Sequence, residues 1–222
     1  MRFKIDFKIF LFLILFYFTK QIETYVMIIS FAVIHELGHL IAGLTMGMKP
    51  EKIELMPYGL SISFKLTPTD YNTTILNGNL LTIKKIVVAL AGPLTNLVII
   101  CIAFNIEVGL FSNLMIIYAN LLLILFNLLP IYPLDGGRIL KGILHIFFGK
   151  KKAEKYSNYL SFATLIIMTF IASIAIFYMK NISIFLITIF LWILYIKQDI
   201  VYRRKIKIYD LIEKTIENEE NK

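Results

Sequence analysis

The sequence predicts an all-α polytopic membrane protein: six transmembrane helices, with a small membrane-associated β-hairpin between the second and third. Three observations carry this. Of 222 residues, 58% are hydrophobic and the mean hydropathy is +0.76, which is too apolar for a soluble domain. The apolar residues fall in blocks long enough to cross a bilayer, separated by charged segments. Lysine and arginine alternate between dense and nearly empty connections, as topogenic charge does.

The first span is the short run Ile9–Phe18, flanked by Arg2, Lys4 and Lys8 and extended by snorkelling lysines. A signal peptide is the alternative, but Tyr17-Phe18-Thr19-Lys20 lacks a small-residue cleavage site. The second span is Tyr25–Met46, the third Ile86–Ile106 and the fourth Leu114–Leu129. The fifth is Tyr159–Met179 and the sixth Ile182–Ile196. With the N-terminus cytoplasmic, 21 of the 23 basic residues fall in cytoplasmic segments, and only Lys20 and Lys180 lie outside. Both chain ends are therefore expected in the cytoplasm.

In the connection Met48–Lys85, the stretch Leu60–Leu66 alternates apolar and polar with period two, and Pro57 and Gly59 mark a turn. The Ile53–Leu66 segment reads as a hairpin: a solvated one, or an edge that a substrate joins as an extra strand. Asn72–Leu80 reads as a flexible loop. The expected organisation is a membrane domain over residues 1–197 and a basic cytoplasmic tail over 198–222. That tail reads as an amphipathic helix on the anionic leaflet, followed by a frayed end.

Cys101 is the only cysteine, so neither a disulfide framework nor a Cys-x-x-Cys metal site exists. The net charge of +8 raises nucleic-acid binding, but on a polytopic chain it reads as topogenic charge and attraction to anionic lipid heads.

The chemistry is in His35-Glu36-Leu37-Gly38-His39, inside the second span. Two histidines four apart share one helix face, so both imidazoles reach one metal. The glutamate beside the first is suited to accept a proton from water polarised by that metal. Ionisable groups at bilayer depth are expensive and read as functional. A catalytic zinc takes three protein ligands. His145, the remaining histidine, sits in an apolar run that reads as an interfacial helix, where a plain surface histidine is the commoner case. Asp135 is the stronger candidate. Pro130 and Pro133 should break the fourth span, and the freed carbonyls must be buried in protein or line a wet cavity. Gly136-Gly137 then permits a sharp turn. The alternative for Asp135 is an Asp-Gly turn ending a helix at the cytoplasmic surface.

Taken together, His35–His39 in one span and Asn127–Gly137 in a later one resemble the site-2 proteases, intramembrane zinc metalloproteases whose motifs are HExxH, Asn-x-x-Pro and Leu-Asp-Gly. Ala91-Gly92-Pro93-Leu94 resembles their middle element, and the likeness covers Ser30 to Leu140. The six-span plan and Met56-Pro57-Tyr58-Gly59-Leu60 are most similar to the sporulation branch of that family, whose protease releases a membrane-tethered sigma-factor precursor. The resemblance implies one zinc held by His35, His39 and Asp135, with Glu36 as general base. It implies Asn127 as the residue that orients substrate or oxyanion; a helix-break cap is the plainer reading. It implies a membrane-tethered protein substrate, a bacterial cell membrane as surroundings and membrane regulatory proteins as partners; the topogenic reading of the charge leaves no nucleic acid among the expected partners. Gly92 and Pro93 are expected to serve packing. No nucleotide-binding CBS segment is recognisable, so no ATP site is expected, and there is no PDZ insertion.

Two rivals remain at this stage. A metal-ion transporter also uses intramembrane histidines and carboxylates, but often shows repeated halves with paired sites. A transporter also has no special need for Glu36, and the intact set His35, Glu36, His39 and Asp135 speaks against a catalytically inactive membrane chaperone.

Overall fold

The computed structural model describes residues 2–5, 10, 17–18, 20, 22–56, 59–65, 75–106, 111–179 and 183–220. The expected first span lies mostly outside these residues. The order is β1 (Arg2–Ile5), α1 (Ile22–Thr45), β2 (Lys49–Met56), β3 (Gly59–Lys65), α2 (Ile75–Asn105), α3 (Asn113–Asn127), α4 (Asp135–Phe148), α5 (Lys150–Met179) and α6 (Ser183–Glu220). The chain divides into two compact units, Met1–Leu128 and Leu129–Lys222.

Among the described residues, four helical stretches are long and apolar enough to cross a membrane: Ile22–Thr45, Leu80–Asn105, Lys150–Tyr178 and Ile184–Thr215. They correspond to the second, third, fifth and sixth expected spans. The fourth expected span is α3, whose 15 residues fall short of the ~20 of a full crossing. Its helix stops at Asn127, and residues 128–134, with Pro130 and Pro133, are irregular. The loop expected at Asn72–Leu80 differs too, because α2 begins at Ile75. Gly78 costs the helix only about 1 kcal/mol.

In the first unit, α1 is inverted relative to a helix in water. Its buried face carries His35, Gly38, His39 and Gly43, while Ile34, Leu37, Ile41 and Leu44 are exposed. Small residues let helix backbones approach closely and the apolar side chains are left for lipid. A side chain at Gly38 would strike Thr95 and come within 3.0 Å of the Ala91 carbonyl oxygen, so α1 and α2 cross there at close range. Gly43 makes the same allowance for the ring of Phe64 on β3.

The sheet runs β1-β2-β3. β2 and β3 are antiparallel, with Ile53 opposite Ile62 and an irregularity between Pro50 and Lys52; Pro57 and Tyr58 lie outside the described residues. β1 pairs parallel to β2, Arg2 with Lys52 and Ile5 with Leu55. Sequence reading treated Arg2–Ile5 only as a charged flank, although Arg-Phe-Lys-Ile does alternate with period two.

In the second unit, α4 packs on α5 and α5 on α6. α6 has 38 residues, about 57 Å, and continues unbroken past Lys197. Lys151 near the start of α5 holds Asp210 at 2.7 Å and Glu213 at 2.5 Å, which ties down the polar end of α6.

Candidate metal centre

His35 and His39 are 3% and 4% exposed, on the inward face of α1. Their rings stand 4.8 Å apart between centroids and nearly perpendicular, at 89°. Opposite them on α2 is Gly92. A Cβ built there would lie 2.5 Å from Nε2 of His35 and 2.5 Å from Nε2 of His39. The two nitrogens therefore converge on one small volume that only a glycine leaves open. Nδ1 of His39 lies 2.7 Å from the Val88 carbonyl oxygen and 3.3 Å from the Gly92 amide nitrogen. The shorter contact decides the tautomer. Nδ1 can either donate to Val88 or accept from Gly92, and the closer contact, to the carbonyl, needs the proton on Nδ1. With its proton on Nδ1, His39 presents an unprotonated Nε2, the form a metal requires. Glu36, the next residue round the helix from His35, is half-buried.

Asn127 is the last residue of α3 and half-buried. Its Nδ2 donates to the Leu123 carbonyl at 3.0 Å, and the amide carries a second N–H.

In the second unit, Asp135 opens α4 and is 4% exposed. A carboxylate in the first turn is stabilised by the helix dipole. Arg138, one turn on, sits 3.7 Å from Oδ1 and is half exposed, so the pair is weak. The segment leading to Asp135 is held from several sides. Gly137 lets it fold back on α4: a Cβ there would lie 2.5 Å from the Ile131 carbonyl carbon and 2.6 Å from its oxygen. Ile131 is fully buried, and the Leu134 N–H donates to its carbonyl at 2.8 Å. The Ser161 hydroxyl of α5 accepts from the Tyr132 N–H at 3.2 Å. It also lies 2.8 Å from the Ser157 oxygen and 3.2 Å from the Pro130 oxygen, and its single proton goes to the nearer one. Lys141 lies 4.5 Å above the Tyr132 ring and 2.7 Å from Glu154, which also pairs with Lys205 at 3.1 Å. Burial pushes the Lys141 ammonium below the ordinary lysine range, against the upward pull of Glu154. His145 is ten residues along α4, about 15 Å from Asp135 by helical rise, and half-buried.

His35, His39 and Asp135 are thus all buried, and each offers one ligand atom. Two imidazole nitrogens and a carboxylate oxygen are the donor chemistry of zinc.

A family model, Peptidase family M50, matches residues 106–171, which include Asn127 and Asp135. A zinc metalloprotease of Methanocaldococcus jannaschii is 29% identical over 175 residues, 76% of this chain and 47% of that protein. The chain thus spans about half the length of that curated relative. The solved site-2 protease from Methanocaldococcus jannaschii matches with a TM-score of 0.59 at 23% identity, covering 89% of this chain and 91% of that one. That likeness shows the fold. The family match spans 66 of the 222 residues of the chain.

The sequence does not disclose how the candidate ligands are supported. Gly92 was expected to serve packing alone, yet it faces both histidine nitrogens. Ser161, Lys141 and Glu154 carry no motif and are recognisable only once α4 and α5 are assembled. Asn96 and Asn120, both fully buried, were also overlooked. An amide inside an apolar span is itself the signal that would have found them.

Proposed function

We propose that the chain is an intramembrane zinc metalloprotease that hydrolyses a peptide bond in or near a membrane-associated segment of a protein substrate. The observation that carries this reading is the convergence of two buried imidazole nitrogens over Gly92, with the His39 tautomer fixed by Val88. His35, His39 and Asp135 would together hold one zinc. When bound, zinc polarises the scissile carbonyl and makes water acidic. Glu36 takes the proton lost by the attacking water and delivers it to the leaving amine. Asn127 uses its second N–H to orient the substrate or the developing oxyanion.

A transmembrane substrate hides its peptide bonds in its own helix and must unwind before attack. β3 is an edge of the sheet, suited to receive the unwound stretch as an added strand. The orientation has both termini and the opening of the site in the cytoplasm. The parallel pairing of β1 with β2 supports a common side for residues 2–5 and 49–56, as the basic-residue count requires. Similarity to stage IV sporulation protein FB makes a membrane-tethered pro-sigma factor the substrate of choice, with membrane regulatory proteins as partners.

The test is a reconstituted cleavage assay on a tethered substrate. Glu36→Gln should keep zinc and lose activity, at least about 100-fold in kcat. Full activity in that variant would remove Glu36 as the general base; a native chain that holds zinc and cleaves nothing would remove the peptidase reading. Ile62→Pro in β3 should slow cleavage with zinc content unchanged; equal cleavage would remove the sheet edge from the mechanism.

A further inference from the structure

Asn96 on α2 and Asn120 on α3 are both 0% exposed. Neither Nδ2 nor Oδ1 of Asn96 has a hydrogen-bond partner, so exchanging the amide's O and N rescues neither atom. Asn120 donates its Nδ2 to the Ile116 carbonyl at 2.8 Å, but its Oδ1 accepts from nothing. Burying amide atoms without partners costs several kcal/mol in apolar surroundings, and proteins meet that cost with internal water.

Helical rise brings the two amides to within about one turn of one level. Asn113, at the start of α3, donates to the Ala103 and Ile106 carbonyls, both at 2.8 Å, so the start of α3 lies against the last turn of α2. Counting seven residues on from Asn113 reaches Asn120, and seven back from Ala103 reaches Asn96. Seven residues are two turns, so Asn120 returns to the face of Asn113 and Asn96 to the face of the buried Ala103. Both sit on buried stripes, Asn96 with Ile100 and Ala103, Asn120 with Ile116 and Ala119. Asn96 also follows Gly92 by four residues, one turn along the face that opposes the histidine nitrogens.

We infer that Asn96 and Asn120 form a site for internal water inside the first unit, one helical turn from the histidine pair, and that this water serves the hydrolysis. A water there donates to the two carbonyl oxygens and accepts from the Asn96 N–H, which satisfies all three atoms. The supply role rests on the peptidase reading; the water site does not.

Hydroxyl-radical footprinting of the full chain in nanodiscs tests the site, with the exposed Leu211 as reference. Ile100 and Ile116, 8% and 2% exposed, should be labelled in the native protein because bound water is the radical source. The double variant Asn96→Leu/Asn120→Leu should lose that labelling, and Asn96→Ser should retain it. Absent labelling in the native chain, or undiminished labelling in the double variant, overturns the site. Labelling that disappears only when a substrate peptide is added would assign the amides to peptide and also overturn it. For the supply role, Asn96→Leu should lower kcat with KM, zinc content and thermal midpoint unchanged, and Asn96→Ser should restore it. An unaltered kcat overturns that role. A native chain that cleaves nothing would sink the peptidase reading while leaving the footprint as it stands.

Discussion

Each unit holds its candidate metal ligands with a glycine, and the two glycines do different work. Gly92 opposes side chains: the space it leaves is where two imidazole nitrogens point. Gly137 opposes backbone: the space it leaves is filled by the Ile131–Tyr132 turn that leads to Asp135. The histidines are set by helix packing and one carbonyl, all within regular structure. The aspartate is set by an irregular segment pinned by Ser161, Lys141 and Glu154. The first arrangement is rigid because helices are. The second is rigid only while its polar clamps hold.

The largest expected effect is therefore Gly92→Ala. The new methyl would occupy the ligand volume, so zinc affinity should fall at least about 100-fold by chelator competition, with little change in thermal midpoint. Gly137→Ala should behave oppositely: overpacking against backbone costs about 1–3 kcal/mol in the unfolding of the second unit. If Gly92→Ala bound zinc normally, the asymmetry between the units would disappear. Next comes Glu154→Gln, which leaves Lys141 half-buried without its carboxylate. A loss of about 2 kcal/mol is expected, below the range for fully buried pairs because both side chains are partly exposed. Ser161→Ala removes the acceptor of the Tyr132 N–H and should cost about 1 kcal/mol. The smallest effect is on pH dependence. Since Lys141 is held below its ordinary value of 10.5, the unfolded chain binds more protons just under that pH. Stability of the second unit should then rise slightly as pH climbs through that window, and Lys141→Met should abolish the rise.

The same contrast explains what the sequence could disclose. His35, Glu36 and His39 are legible because a helix converts spacing of four into a shared face, whatever surrounds it. Asp135 is legible because two prolines and two glycines announce a break in an apolar span. The four long helices follow from hydropathy alone. The clamp on the aspartate segment is not legible, because Lys141 comes from α4 and Glu154 and Ser161 from α5, and they meet only after packing. β1 escaped for a related reason: four residues of alternation become a strand only when a partner such as β2 is present. The start of α2 was misjudged because Gly78 and Asn79 read as loop, whereas a long helix tolerates them.

The most direct test of the central claim, that His35, His39 and Asp135 grip a single zinc, is chelator competition on purified native protein beside His35→Ala, His39→Ala and Asp135→Asn. The account expects one tightly held zinc per native chain and a large loss of affinity in each of the three variants. Native-like zinc binding by Asp135→Asn would contradict it.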